Sequence, residues 1–155
     1  MSPAITPLGN GNDAPDIDGT YVISVWGTQR VLQQTTLETS GSSSVRLRTY
    51  DGSDVQKWLV HSNKNNELTF CNVSTGKYLN LEYVVGSSFA AWETKDKGND
   101  MYGIYCTPLS SGGYRISARC HYQDPAHVMM EGSDAITMAT DQFNKALAMG
   151  LDRVA

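Results

Sequence analysis

Apolar and polar positions alternate with a period of two along most of this chain. "TYVISVW" (20–26), "SVRLRTY" (44–50), "KWLVH" (57–61), "ELTFCNV" (67–73) and "KYLNLEYV" (77–84) are short, β-branched and aromatic-rich, and Gly, Ser, Asn and Asp clusters separate them. That pattern predicts strands joined by turns. The helical template fits poorly. Only "QFNKALAMGL" (142–151) competes, because Ala, Leu, Lys and Met favour helix. Many short strands between turn signals predict a sandwich or a barrel.

An internal repeat decides between the two. Set beneath one another, "DVQKWLV" (54–60), "NDMYGIY" (99–105) and "FNKALAM" (143–149) place Trp58, Tyr102 and Ala146 at successive intervals of 44 residues. Val60, Ile104 and Ala148 fall into the same register. Upstream, "GTYVIS" (19–24), "NELTFCNV" (66–73) and "GGYRIS" (112–117) open three units at similar intervals. Three units of roughly 45 residues, each with four strands, predict an all-β trefoil built as a six-stranded barrel closed by three hairpins. The expected boundaries are an N-terminal arm, residues 1–18, and a single domain, residues 19–155, with repeats at about 19–65, 66–111 and 112–155. The tail "ALAMGLDRV" is expected to pair with "TYVISV" and shut the barrel.

The Gln56-x-Trp58 pair resembles the hallmark of the ricin-B-type β-trefoil family, which carries a Gln-x-Trp near the end of each repeat. The resemblance covers about residues 19–154 and is full in the first repeat alone. The second repeat has Asp100 and Tyr102 there, and the third Asn144 and Ala146. With "GTYVIS" near the N-terminus, the chain looks most like the small cytoplasmic trefoil proteins of mushrooms. These include lectins and protease inhibitors (mycocypins and cocaprins), both suited to defence. The motif itself reads as a fold marker. Trp58, Tyr102 and the neighbourhood of Leu147 are expected in the core, and Gln56 is expected to bond the backbone of its own repeat. A buried ring contributes on the order of 2–3 kcal/mol, and a buried amide without partners costs a similar amount.

Composition narrows the function classes. The 155 residues carry a net charge of −4 with no basic cluster, so no nucleic-acid partner is expected. No apolar run reaches a membrane-spanning length, so no membrane insertion is expected. "MSPAITPLGNGNDAPDIDG" has neither a basic start nor an apolar segment, and it reads as a partly mobile arm without a signal peptide. Cys71, Cys106 and Cys120 are odd in number and lack CxxC spacing, which argues against a disulfide framework or a metal site and fits the cytoplasm. With three histidines and no HExxH, GxSxG, GxxxxGK[ST] or strand-linked GxGxxG, neither an enzyme nor a cofactor is expected. Cys120 and His121 are adjacent, and neighbours along a strand point to opposite faces.

Binding remains. A sugar site needs an aromatic platform beside a few polar groups. Carried over repeat by repeat, the resemblance implies its best pocket in the second repeat. There Trp92 would stack, and Asn80, Asn99 and Asp100, helped by Glu82, would hydrogen-bond. A weaker pocket in the first repeat would use Arg48, Tyr50, Asp51 and Asp54. The third repeat has Met130 and Ile136 at the corresponding positions and lacks the platform. The expected partner is therefore a glycan, with avidity from a possible homodimer. The alternative partner is a cysteine or aspartic protease, blocked by the loop that begins Gln34, Thr35, Thr36, Leu37, Glu38, Thr39.

Overall fold

The structure, a computed structural model, describes residues 8–15, 18–35, 45–62, 68–83, 89–95, 103–119, 127–131, 136–139 and 148–154. For residues 62, 80–83, 89–95, 103, 118–119, 127–131 and 136–139 the description is of the backbone.

The described strands are β1 (Thr20–Val25), β2 (Arg30–Gln34), β3 (Val45–Thr49), β4 (Trp58–Ser62), β5 (Leu68–Asn72), β6 (Tyr78–Tyr83), β7 (Phe89–Lys95), β8 (Gly103–Pro108), β9 (Tyr114–Arg119), β10 (His127–Glu131), β11 (Ile136–Ala139) and β12 (Ala148–Arg153). The alternating segments of the sequence become strands because each has an apolar face to bury. In β3, Val45 and Leu47 are buried while Arg48 and Thr49 are exposed. Within "QFNKALAMGL" the described part, from Ala148, is strand.

The pairing repeats three times. β1 pairs with β4, β5 with β8 and β9 with β12. The units join through β4–β5 and β8–β9, and β1–β12 closes the ring. Three hairpins, β2–β3, β6–β7 and β10–β11, stand off this six-strand barrel. The closing seam runs in register from Tyr21 opposite Arg153 to Val25 opposite Met149. The buried core joins Tyr21, Ile23, Trp58, Val60, Phe70, Ile104, Ile116, Met149 and Leu151 of the barrel strands to Leu32 and Leu47 of the β2–β3 hairpin. Val60 and Ile104, matched by the repeat, are both core residues. Tyr102 and Leu147, the expected counterparts of Trp58, lie outside the described residues.

Gln56 ends a 3₁₀ turn, Asp54–Gln56, and is fully buried. Its Oε1 accepts the Asp51 N–H at 2.9 Å, and its Nε2 donates to the carbonyl of Thr49 at 3.0 Å and to Gln33 Oε1 at 3.0 Å. The amide therefore closes the chain between β3 and β4, as its position in the motif requires. Two residues on, Trp58 fills the core and donates its Nε1–H to the carbonyl of Leu32 at 3.3 Å. Asn72 extends the network. Its Nδ2 donates to the carbonyl of Val55 at 2.9 Å, while its Oδ1 accepts the N–H of Ser74 at 3.0 Å and of Thr75 at 3.3 Å. The first repeat is thereby tied to the turn that opens the second.

Part of the arm is placed by backbone hydrogen bonds. Residues 8–15 lie on the barrel, with Asn12 bridging Leu151 in parallel. Leu151 N–H donates to the carbonyl of Gly11, and Asp13 N–H to the carbonyl of Leu151, both at 2.9 Å. This cover explains a break in alternation. Val22 and Ser24 face Asp152 and Gly150 across the seam, on its outer side, and all four are buried. Polar arm residues thus carry out a backbone task that their composition does not announce.

Replacing Gln56 with Ala leaves the Asp51 N–H and the Thr49 carbonyl without their partner. A loss of about 3 kcal/mol is expected, read as a lower urea midpoint at unchanged slope.

Candidate functional site

The hairpin expected to carry the best pocket is present in the backbone. β6 and β7 pair with Asn80 opposite Glu93, Leu81 opposite Trp92 and Glu82 opposite Ala91. Asn80 and Glu82 thus hold one parity of the pleat, while Trp92 shares the other with Leu79 and Leu81. Leu79 is buried in the core. Asn99 and Asp100 lie outside the described residues.

The first-repeat residues are described in full. Arg48 is exposed, and its Nη1 donates to the carbonyl of Leu47 at 2.8 Å. Asp51 Oδ1 accepts the Ser53 N–H at 2.8 Å and so shapes the turn leading to Gln56. Asp54 Oδ1 lies 3.4 Å from Lys57 Nζ. Tyr50 is half-buried and lines a cleft beside the arm. The described contacts engage the four side chains separately: Arg48 with a backbone carbonyl, Asp51 with its turn, Asp54 with an ion pair and Tyr50 with the cleft beside the arm. Of the alternative loop, Gln34 ends β2, is buried, and accepts the Thr75 hydroxyl at 2.6 Å on its Oε1. That side chain belongs to the scaffold. Thr35 follows it, and Thr36, Leu37, Glu38 and Thr39 lie outside the described residues.

The charged groups that the sequence pattern did not single out lie where the arm meets β12. Asp152 Oδ1 accepts the Gly11 N–H at 3.1 Å, and Asp13 Oδ2 accepts the Arg153 N–H at 2.8 Å. Asp152 is buried, and its Oδ2 has no hydrogen-bond partner among the described residues. Burial raises its carboxyl above the ordinary value of 3.8, the Gly11 N–H opposes that shift, and the charge of Asp13 adds to it. Trp26 bolts the same region. Its Nε1–H donates to the carbonyl of Asn10 at 3.1 Å, and Gly113 N–H donates to Asn12 Oδ1 at 2.7 Å. Gly113 has φ +73°, and a Cβ there would stand 2.8 Å from both Trp26 Cγ and the carbonyl oxygen of Met149, so only glycine fits.

The described thiols offer little reactivity. Burial pushes Cys106 up to about 12 and raises Cys71 as well, so both stay protonated at neutral pH. Among the described residues no group of three or more His, Cys, Asp or Glu is placed to hold a metal ion. No described helix is long and apolar enough to cross a membrane.

No family model and no curated protein matches the sequence. Solved structures do match its fold. The Rhizoctonia solani agglutinin is similar over 99% of this chain and 100% of its own, with a TM-score of 0.66 at 17% identity. The Macrolepiota procera ricin B-like lectin, solved in complex with lactose, is similar over 92% of this chain and 100% of its own, with a TM-score of 0.65 at 12% identity. A designed threefold-symmetric protein, ThreeFoil, is similar over 88% of this chain and 100% of its own, with a TM-score of 0.66 at 18% identity. The fold is a β-trefoil. Similarity to a symmetric design agrees with the threefold pairing of this trefoil's strands, and the arm–β12 seam is where that repetition is interrupted. Sequence reasoning anticipated the β1–β12 pairing but passed over the arm that covers it. The available signal was "GNGND", in which small residues permit close backbone approach and Asn and Asp can bond it.

Because Asp152 has a raised carboxyl, its folded form holds a proton more firmly than its unfolded form. Its contribution to stability is fully present below the ordinary value of 3.8 and is lost as pH rises through the raised value. Asp152→Asn does not titrate. Wild type is therefore expected to lose stability relative to this variant from pH 3 towards pH 7, as measured by paired urea titrations.

Proposed function

We propose that this chain is a carbohydrate-binding protein, a lectin of the ricin-B-like β-trefoil type, that takes a glycan on the β6–β7 hairpin of its second repeat. The observation that carries the reading is the likeness over nearly the whole chain to an agglutinin and to a lectin solved with lactose. One face of the hairpin offers Trp92 as a stacking position and the other offers Asn80 and Glu82 as hydrogen-bonding positions, with Asn99 and Asp100 as further hydrogen-bonding candidates. A rigid barrel carrying a paired hairpin suits this task, since the strands fix the spacing of aromatic and polar positions before the ligand arrives.

The pleat refines the proposal. Asn80 and Trp92 alternate along the hairpin, so the two residues report on different faces and are tested separately. A single shallow site of this kind binds weakly, and presentation of two copies raises the apparent affinity.

The test is a glycan array with wild type, Trp92→Ala and Asn80→Ala, each first shown to be folded. Binding to one glycan family that falls at least about tenfold in either variant supports the reading, a change of roughly 1.4 kcal/mol. The affected variant also identifies the parity of the hairpin that meets the sugar. A blank array from folded wild type overturns it, and so does binding that neither variant alters.

A further inference from the structure

The cleft against the arm has a chemistry of its own. It measures about 370 Å³ and is lined by Tyr50, Lys57, Asp13, Asp152, Arg153 and Val154, with Leu8 and Gly9 of the arm at its lip. It lies where the arm meets the end of β12 and the start of β4, apart from the β6–β7 hairpin. We propose that this seam is a second binding site, for a neutral polyhydroxylated ligand of monosaccharide size.

Four observations select that class. The volume stands near the lower end of the roughly 300–1,000 Å³ typical of ligand sites, which suits one ring and not an extended chain. The charges are mixed. Asp13 and Asp152 line the cleft together with Lys57 and Arg153, and Lys57 is already 3.4 Å from Asp54, so no single sign of ligand charge is favoured. The aromatic Tyr50 and the apolar Leu8 and Val154 offer surface to the C–H side of a ring. Asp152 then supplies the deciding feature, a buried carboxylate oxygen without a hydrogen-bond partner among the described residues. Such an acceptor is costly until a donor reaches it, and a hydroxyl is the neutral donor that does so.

Access follows from the construction of the lip. Gly9 lies against the carboxylate so closely that a Cβ there would stand 2.8 Å from Asp152 Oδ1. Ahead of it, Leu8 N–H donates to Gln29 Oε1 at 3.2 Å on the surface. The buried Gly11–Asp152 bond behind them holds the arm in place, so the proposal requires Leu8 and Gly9 to move outward for a ligand hydroxyl to reach the buried Oδ2. The other two junctions of the barrel, β4–β5 and β8–β9, each join consecutive strands. The seam joins the two ends of the chain and is roofed by the arm. The repeat therefore does not triplicate this site, and it stands or falls independently of the hairpin.

The test is amide NMR of the full ¹⁵N-labelled chain, titrated separately with D-galactose, N-acetyl-D-galactosamine, D-mannose and D-glucose. Saturable shifts at the amides of Gly9, Gly11, Tyr50 and Arg153 with at least one sugar are expected. Tyr50→Ala and Lys57→Gln should each weaken that binding by about tenfold or more, corresponding to roughly 1.4 kcal/mol. Lys57→Gln keeps the inference testable where Tyr50→Ala fails to fold. Shifts confined to the β6–β7 amides overturn this inference and leave the lectin proposal standing. Shifts confined to the seam support it even where the hairpin proposal fails. No saturable seam shift with any of the four sugars overturns it, as do seam shifts that a folded variant leaves unweakened.

Discussion

Closure of the barrel is the constraint on which everything else rests. A ring of six strands has no free edge, but this ring closes only when the first and last strands, drawn from opposite ends of the chain, pair in register. The order lost in bringing the ends together must be recovered at the seam itself. Ile23, Leu151 and Met149 supply much of that recovery by burying apolar surface on its inner side. Burial on the outer side needs another layer, and the arm provides it. The glycines at 11 and 150 let that layer approach. Ser24 Oγ would lie 2.5 Å from a Cβ at position 150, which leaves no room for a larger residue there. The arm, Trp26 and the β8–β9 turn therefore form one mechanical unit around the closing pair.

The same arrangement sets the electrostatics of the seam. Covering the outer face removes water from Asp152, and Gly11 N–H replaces the solvent at one carboxylate oxygen alone. An apolar residue at that position would pack without such a cost, but it would not receive the N–H that fixes the arm. The structure thus accepts a partly satisfied carboxylate in exchange for a located strap. Unsatisfied buried polar atoms are uncommon enough in folded proteins that each one calls for a reason. Here the cleft beside it supplies the candidate reason.

Most of the framework was legible in the sequence. Period-two alternation located β1, β3, β4, β5 and β6 to within a residue or two, since a half-buried strand must alternate. The 44-residue interval gave the threefold order, because each unit needs its neighbours to bury its core. Gln56 could be read as a turn lock from chemistry alone: an amide beside a core tryptophan has to be satisfied by nearby backbone. The arm was not legible by this logic. "GNGND" has no apolar face, so pattern analysis classes it as loop, whereas its role depends on backbone groups and on the absence of side chains. Tyr50 was singled out in the sequence together with Asp51 and Asp54, whereas its place in the cleft beside the arm was not legible there, and Asp51 is engaged by its own turn. Adjacency in sequence says little about convergence when consecutive side chains serve different turns.

The full Gln-x-Trp of the first repeat has a physical role in this setting. In the first repeat the motif's amide joins β3 to β4 and positions Tyr50 and Lys57 on either side of the turn. Those two residues then reach the cleft roofed by the arm. A turn that must hold two cleft residues in place is more tightly constrained than one that merely connects strands. The repeat that retains both Gln and Trp is the one whose closing turn also meets the chain's two ends. Asp100 and Asn144 occupy the equivalent positions elsewhere and lie outside the described residues. Threefold symmetry gives the barrel its stability, while the asymmetry of the arm marks where a distinct chemistry can be built.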